Sequence, residues 1–243
     1  DDYRFILEEV LKVQDTLAGY DSETARFMME TAGQFAEREL NPLYNATNDA
    51  HKGASFRMEN GEDFGVVTLA DGYQEAYNTF VETGLQGIVA DPAYSDAALG
   101  QPHVLGAVID EIIHSANGDF ALIPTLTHSA YLGIHTYGTE AQKKKYLPDL
   151  SSGVSSGIMA MTEPTAGSDL SNARSYAIPQ DDGSYQLFGQ KIFISGGDNH
   201  YTSVQDSGNI IHVVLAKVKD AQTGKTDDRV SMFIAPKIRV DDA

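Results

Sequence analysis

One segment in the second half of the chain combines an apolar run with a polar turn. The apolar residues 159–161 lead into Thr-Glu-Pro at 162–164, and small polar residues continue through 165–169. Proline ends regular strand pairing, and a glycine among short side chains lets a ligand approach the backbone closely. Amides and hydroxyls exposed beside an apolar wall suit a flat heteroaromatic ring with polar edges. An ordinary strand-to-loop turn with an Asx or serine cap is the alternative interpretation.

A second segment, Gly-Gln-Lys-Ile-Phe-Ile-Ser-Gly-Gly at 189–197, also combines an aromatic residue with a hydroxyl. We predict a turn at Gly189 followed by a strand over 191–195. Phe193 and Ser195 then lie on the same strand face, because side chains alternate with a period of two. The pair could present a ring and a hydroxyl to a ligand. Packing of Phe193 in a core is the alternative interpretation.

Other candidate chemistries have weaker support. The sequence has no HExxH, P-loop or GxGxxG pattern. His128 and His135 could share a helix face, but we predict ordinary packing or surface roles for the histidines and no metal site. The absence of cysteine excludes disulfides, zinc–thiolate sites and thiol nucleophiles in this chain. It fits a reducing compartment, and we expect a cytoplasmic protein.

Composition narrows the class of partner. The chain has 243 residues, of which 42% are hydrophobic and 21% are charged, as expected for a globular protein. It carries 17 basic and 35 acidic residues, a net charge of -18. This charge disfavours binding to nucleic acid or to an anionic membrane surface. No apolar run approaches the ~20 residues that span a bilayer, and we expect no signal peptide.

The elements that position the two segments fall into two groups. Apolar residues at helical spacing predict a helical domain over 1–152. We expect helices near 5–13, 27–40, 73–83, 102–113, 124–137 and 139–147, with ends at Asn41-Pro42, at Gly84 and before Pro148, and an N-cap at Thr139. Alternating apolar residues predict a β domain over 153–243, with strands at 157–161, 175–178, 184–188, 191–195, 210–218 and 230–234. The fold class is therefore α+β, an all-α domain followed by a β-sheet or barrel-like middle domain.

Together the two segments resemble the acyl-CoA dehydrogenase family. Residues 162–169 match its T-E-P-x-A-G-S-D signature, and residues 189–197 match G-x-K-x-[WF]-I-[ST]-x-G with Phe193 in place of the commoner tryptophan. A Tyr-Leu-Pro-Asp-Leu run at 146–150 precedes them, as in the family. Further similarities at 41–43, Asp49 and 124–127 are typical of the long branch that includes the methylmercaptopropionyl-CoA dehydrogenases.

The resemblance implies an FAD enzyme of fatty acid metabolism that converts an acyl-CoA to the trans-2-enoyl-CoA. A base takes the α-proton, and the β-hydride passes to flavin N5. The residues expected to bind FAD are Met159, Met161, Thr162, Gly167, Ser168, Phe193 and Ser195. In this scheme Thr162 bonds the N5/O4 edge, Phe193 stacks near the ring, and Ser195 bonds an edge or a phosphate. Gly167 and Ser168 meet the FAD pyrophosphate or the CoA part of the substrate.

The resemblance also implies what lies outside the chain. The family's catalytic glutamate belongs to a C-terminal helical domain that we expect to be absent here, so no residue of this chain is assigned as catalytic. Glu163 is expected to support its turn, and we expect an incomplete middle domain. Because FAD and CoA are anionic, local amides and hydroxyls, with Arg174 or Lys191, must bind them against the acidic field of the chain.

Partners and alternatives follow from the same resemblance. It implies an acyl-CoA substrate, an electron-transferring flavoprotein as partner, and a homodimer or homotetramer. An acyl-CoA oxidase or a flavin monooxygenase on the same fold is one alternative function. A non-catalytic scaffold that holds no flavin in isolation is the other.

Overall fold

A helical region precedes a mixed sheet, as predicted. The computed structural model describes residues 2–47, 55–58, 65–199 and 208–239. The α-helices are α1 (Asp2–Arg4), α2 (Val13–Thr16), α3 (Ser22–Phe35), α4 (Asn41–Thr47), α5 (Tyr73–Thr83), α6 (His103–Ala116), α7 (Gly118–Tyr137) and α8 (Glu140–Ser152). The strands are β1 (Ser55–Met58), β2 (Gly65–Thr68), β3 (Ser156–Ala160), β4 (Tyr176–Pro179), β5 (Tyr185–Phe188), β6 (Ile210–Lys219) and β7 (Thr226–Pro236). Two π-helical turns (Phe5–Val10 and Ala36–Leu40) and two short 3₁₀ helices (Leu85–Gly87 and Leu170–Asn172) join these elements.

Several helix ends form where local chemistry predicts them. Thr139 and Gln142 form a reciprocal capping box at the start of α8, with bonds of 3.3 and 2.8 Å. Gly84 ends α5 at φ 71, in the left-handed region that glycine adopts readily. Asn117 caps α7 by accepting a bond from the Phe120 N–H at 3.0 Å. Because of that cap, α7 begins six residues before the predicted start at Pro124.

Prolines do not end helices at the predicted positions. A π-helical turn leads directly into α4, so the helical path continues through Pro42, and the wider turn accommodates the ring. Pro148 lies inside α8, and the predicted end before it is wrong. Leu147 and Leu150 on either side of it are fully buried, and this burial outweighs the local cost of proline, about 3 kcal/mol.

The helical region also contains an antiparallel hairpin that the helical pattern did not indicate. Strands β1 and β2 pair in register, with Phe56 opposite Val67. Asp49 and His51 lie outside the described residues.

An aromatic cluster fills the helical core. Rings from α3, α5 and α7 meet with centroid separations of 5.7–6.5 Å. Its members are Phe35, Tyr77, Phe80 and Phe120. Aromatic contacts of this kind contribute about 0.5–1.5 kcal/mol beyond burial of their surface.

The seam between helices and sheet is tight. Gly157 of β3 lies against α7, where an added Cβ would come within 2.6 Å of Ala130 Cβ. The Gly157 N–H donates to Thr127 Oγ1 at 3.0 Å, and the Thr127 hydroxyl donates to Ile123 O at 2.8 Å. Thr127 is therefore a buried link between α7 and the sheet.

Strands β3 to β7 form one mixed sheet centred on β6. β3 and β4 pair in parallel with successive halves of one edge of β6, and β7 pairs with the other edge in antiparallel register. The β4–β5 hairpin forms as predicted around the Asp-Asp-Gly turn. Tyr185 and Phe233 meet at 5.1 Å, so the sheet curls until β5 approaches β7. No strand forms over 191–195, and that prediction is wrong.

Candidate functional site

The polar turn after β3 is tightly closed. Backbone bonds between Glu163 and Ala166 run in both directions, at 3.0 and 3.1 Å. Asp169 then caps the short helix Leu170–Asn172 by accepting from the Ser171 N–H at 3.0 Å. The strand-to-loop turn with an Asx cap, which was the alternative interpretation of this segment, is therefore present. Between the two closures Gly167 and Ser168 are exposed, and an added Cβ on Gly167 would meet no atom within 4 Å.

The carboxylate of Glu163 holds this turn through hydrogen bonds to the neighbouring backbone and to Lys191. This buried carboxylate accepts from the Arg174 N–H at 2.6 Å, from the Ser175 N–H at 3.1 Å and from Lys191 Nζ at 2.7 Å. Burial alone raises the pKa of a carboxyl group, but these hydrogen bonds outweigh it and lower the pKa of Glu163 to about 2. Glu163 is therefore an ionised structural anchor, in line with the role expected of it.

The second segment lies directly against the first. The Ile192 N–H donates to Thr162 O at 2.9 Å, and Lys191 Nζ donates to Met161 O at 3.0 Å. The two segments that sequence alone singled out are therefore in contact. Lys191 is thus engaged with the turn through two of its three N–H donors.

Phe193 is held outward by an unusual backbone conformation. Its φ is 57, in the left-handed region that disfavours a side chain by roughly 1–2 kcal/mol, and the residue is 88% exposed. Neither a shared strand face with Ser195 nor core packing of Phe193 is present. Ile194 instead packs against the cluster of Ile158, Ala160 and Ile210, while Ser195 remains exposed. The inward packing of Ile194 therefore leaves Phe193 and Ser195, on either side of it, at the surface.

Two glycines permit this path. At Gly189, with φ 136, an added Cβ would lie 2.2 Å from Ser175 Oγ. At Gly196, with φ 67, it would lie 2.6 Å from Ile123 Cδ1. Both positions therefore require glycine on conformational and steric grounds.

His212 fastens the far end of the segment and was missed by sequence reasoning. Its Nε2 lies 2.6 Å from Gly197 O and its Nδ1 lies 2.9 Å from Ala235 O. Both ring nitrogens therefore face backbone carbonyl oxygens, and the ring links the 189–197 segment to β7. The available signal was a histidine inside an Ile- and Val-rich central strand. Lys237 and Asp198 form a further ion pair beside it.

The two methionines lie in different surroundings. Met161 is exposed just beyond the end of β3, next to Thr162. Met159 is half-buried and packs against the cluster that joins α7, α8 and β6. Within the described residues no cluster of His, Asp or Glu is suited to a metal ion, and no described helix has the length and apolarity needed to cross a bilayer.

Comparison with known proteins agrees with this geometry. The family model "Acyl-CoA dehydrogenase, N-terminal domain" matches residues 22–154, and "Acyl-CoA dehydrogenase, middle domain" matches residues 158–241. The chain belongs to the acyl-CoA dehydrogenase family. The resemblance drawn from the two segments is therefore confirmed.

Two curated members of the acyl-CoA dehydrogenase family are similar to this chain over most of its length. A 3-methylmercaptopropionyl-CoA dehydrogenase of Ruegeria pomeroyi is 40% identical over 92% of this chain and 35% of its own length. A butyryl-CoA dehydrogenase of Syntrophomonas wolfei is 36% identical over 75% of this chain and 28% of its own length. The chain thus spans about a third of the curated relatives it matches.

A solved acyl-CoA dehydrogenase also matches in three dimensions. The structure from Bacillus anthracis, a complex with FAD, superposes with a TM-score of 0.64 and 26% identity. The match covers 90% of this chain and 31% of that one.

Proposed function

We propose that this chain is the flavin-binding front part of an FAD-dependent acyl-CoA dehydrogenase that introduces a trans double bond between the α- and β-carbons of an acyl-CoA. The observation that carries the proposal is the bond between Ile192 N–H and Thr162 O, beside the outward-facing Phe193. It joins two segments whose exposed groups suit the edge and the face of one flat ring.

The residues present fit an isoalloxazine ring. Phe193 offers an exposed aromatic face, and aromatic rings stack well in offset arrangements. Thr162 and Ser195 supply hydroxyls for a polar edge, and Met161 adds apolar surface. Gly167 and Ser168 leave backbone open for the FAD pyrophosphate or the CoA part of the substrate. Met159 is half-buried against the cluster of α7, α8 and β6.

Each residue has a distinct task in this proposal. Thr162 donates hydrogen bonds where negative charge develops during reduction, which is preorganised electrostatic stabilisation. Phe193 fixes the plane of the ring, and Ser195 bonds its edge or a phosphate. Bound here, FAD would supply the two-electron oxidising chemistry. We expect the base that removes the α-proton to be a glutamate outside this chain.

Binding of two anionic ligands must overcome the net charge of -18. Lys191 is held by Glu163, so exposed amides, hydroxyls and the cation of Arg174 are the local groups available to the phosphates. We further propose an electron-transferring flavoprotein as the acceptor of the electrons, and a homodimer or homotetramer as the assembled enzyme.

The test is anaerobic mixing of the full-length flavoprotein with acyl-CoAs of graded length, branching and thioether content. We expect at least one of them to bleach the visible flavin band and to yield the enoyl-CoA. A flavoprotein that no acyl-CoA bleaches contradicts the proposal. Peroxide release during aerobic turnover identifies an oxidase instead. The purified 243-residue chain, if it is cooperatively folded but colourless, supports the scaffold alternative for the isolated chain.

A further inference from the structure

Lys191 lies where the two flavin segments meet, and its side chain reaches across to the turn after β3. Its Nζ is 2.7 Å from Glu163 Oε1 and 3.0 Å from Met161 O. These acceptors belong to the residues on either side of Thr162. The next residue along the chain, Ile192, donates its N–H to Thr162 O. Lys191 and Ile192 therefore hold the backbone around Thr162 through three hydrogen bonds, one to Thr162 itself and one to the residue on each side of it.

The lysine is a fixed internal charge. Its side chain is 11% exposed and that of Glu163 is 3% exposed. The carboxylate also accepts hydrogen bonds from the Arg174 and Ser175 N–H groups just before β4. These bonds fix the position of the carboxylate, and the carboxylate in turn fixes the ammonium of Lys191. A flexible side chain is thereby converted into a rigid bridge between β3, β4 and the 189–197 segment.

This bridge has an electrical consequence. Met161 O and the Thr162 N–H belong to one peptide group, and an ammonium bound at the carbonyl polarises that group. A polarised Thr162 N–H is a stronger donor to any acceptor that it meets. The cation would also favour the negative charge that a reduced flavin gains if its edge were bound by Thr162.

We propose that Lys191 is a positioning residue that sets the Thr162 amide and the 193–195 segment as one flavin-binding edge, and that raises the reduction potential of the bound flavin. It contacts neither flavin nor substrate and acts through Met161, Thr162 and Glu163. The inference rests on the proposed function. A purely structural brace would affect stability alone.

The experiment uses the full-length flavoenzyme with Lys191→Met, Lys191→Arg and the double variant Glu163→Gln/Lys191→Met. Tyr77→Phe is the matched control, because it removes a buried bond from Tyr77 to Gly153 O (2.9 Å) in the helical core. The readouts are the dissociation constant of FAD for the apoprotein, the visible flavin spectrum, the reduction potential and the melting temperature.

We expect Lys191→Met to weaken FAD binding on the order of tenfold, because the Thr162 amide is less polarised and less well fixed, and to lower the potential. Lys191→Arg keeps the charge and restores most of both. The double variant leaves no buried unpaired charge, so it folds well and still shows the weaker binding and the lower potential. Tyr77→Phe lowers only the melting temperature.

The inference is overturned if both Lys191→Met and the double variant keep wild-type FAD affinity, spectrum and potential, whatever their melting temperatures. The double variant gives this answer even if Lys191→Met does not fold. Wild-type protein that holds no FAD contradicts the proposed function itself. Wild-type protein that holds FAD beside unaltered variants contradicts only the role of Lys191.

Discussion

The helical core and the flavin segments are held together by different interactions. In the core, four aromatic rings from α3, α5 and α7 pack at 5.7–6.5 Å. In the segments, Glu163 and Lys191 hold backbone groups through charged hydrogen bonds, His212 contacts two backbone carbonyls, and Phe193 faces outward. Apolar packing has little direction and supplies stability, whereas hydrogen bonds fix the direction of the groups they hold.

This contrast separates the effects of substitution. Changes in the aromatic core are expected to alter the free energy of unfolding and leave flavin binding by the folded protein unchanged. Changes at the exposed ends of the segments are expected to alter flavin binding with little effect on unfolding. Four substitutions test this separation.

Phe120→Ala is expected to have the largest effect on stability. It removes the ring that contacts three other members of the cluster, and such truncations cost about 3–5 kcal/mol. Chemical denaturation measures the loss. Flavin bound per folded molecule stays at the wild-type value, and a loss of flavin from the folded fraction would contradict the separation.

Glu163→Gln is expected to change the acid sensitivity of the protein. The pKa of Glu163 falls from an ordinary 4.5 to about 2 on folding, so its stabilisation is complete above pH 4.5 and is lost as pH falls towards 2. A shift of this size corresponds to about 3 kcal/mol. Between pH 4.5 and pH 2, the free energy of unfolding therefore falls by about 3 kcal/mol more in the wild-type protein than in the variant. Urea unfolding at a series of pH values measures this difference. Other acids with lowered pKa, such as Asp91, cancel in the comparison. Parallel pH curves would show that the carboxylate is not the anchor described here.

Thr127→Val tests the contact between α7 and β3, which joins the helical region to the sheet. The variant keeps the volume of the side chain but leaves the Gly157 N–H without its partner, at a cost of about 1–3 kcal/mol. Denaturation measures this cost. Hydrogen exchange should also quicken at Gly157 more than within the α5 core. Uniform quickening would mean that the link has no local role.

Phe193→Gly is expected to have the smallest effect on stability and the opposite sign. Glycine adopts a φ of 57 without strain, and the exposed ring contributes no core packing, so the protein gains up to about 1 kcal/mol. FAD affinity falls at the same time, because the stacking surface is gone. Phe27→Ala, at another exposed phenylalanine, is the matched control and leaves FAD affinity unchanged. Weaker stability with unaltered FAD binding would reverse the interpretation of Phe193.

Short-range chemistry made much of the fold predictable. The Thr139 cap, the end of α5 at Gly84 and the turn of the β4–β5 hairpin depend on neighbours a few residues away. Pro42 and Pro148 misled the prediction, because burial of distant surfaces decides whether a proline is tolerated within a helix.

Sequence patterns singled out the two segments of the candidate site but did not predict their geometry. Motif spacing singled out Thr162 and Phe193, but a strand over 191–195 was wrong because the bonds of Lys191 and Ile192 to the turn after β3 impose a different path. The role of His212 depends on Gly197 and Ala235, which are 15 and 23 residues away in sequence. Contacts of that kind leave no periodic pattern in the chain.

A crystal structure of the full-length protein with FAD bound decides whether the two segments form a single flavin site. We expect one isoalloxazine ring that lies against Phe193 and hydrogen-bonds to both Thr162 and Ser195. A ring that contacts only one of the two segments, or that binds elsewhere on the protein, would show that the segments do not act together.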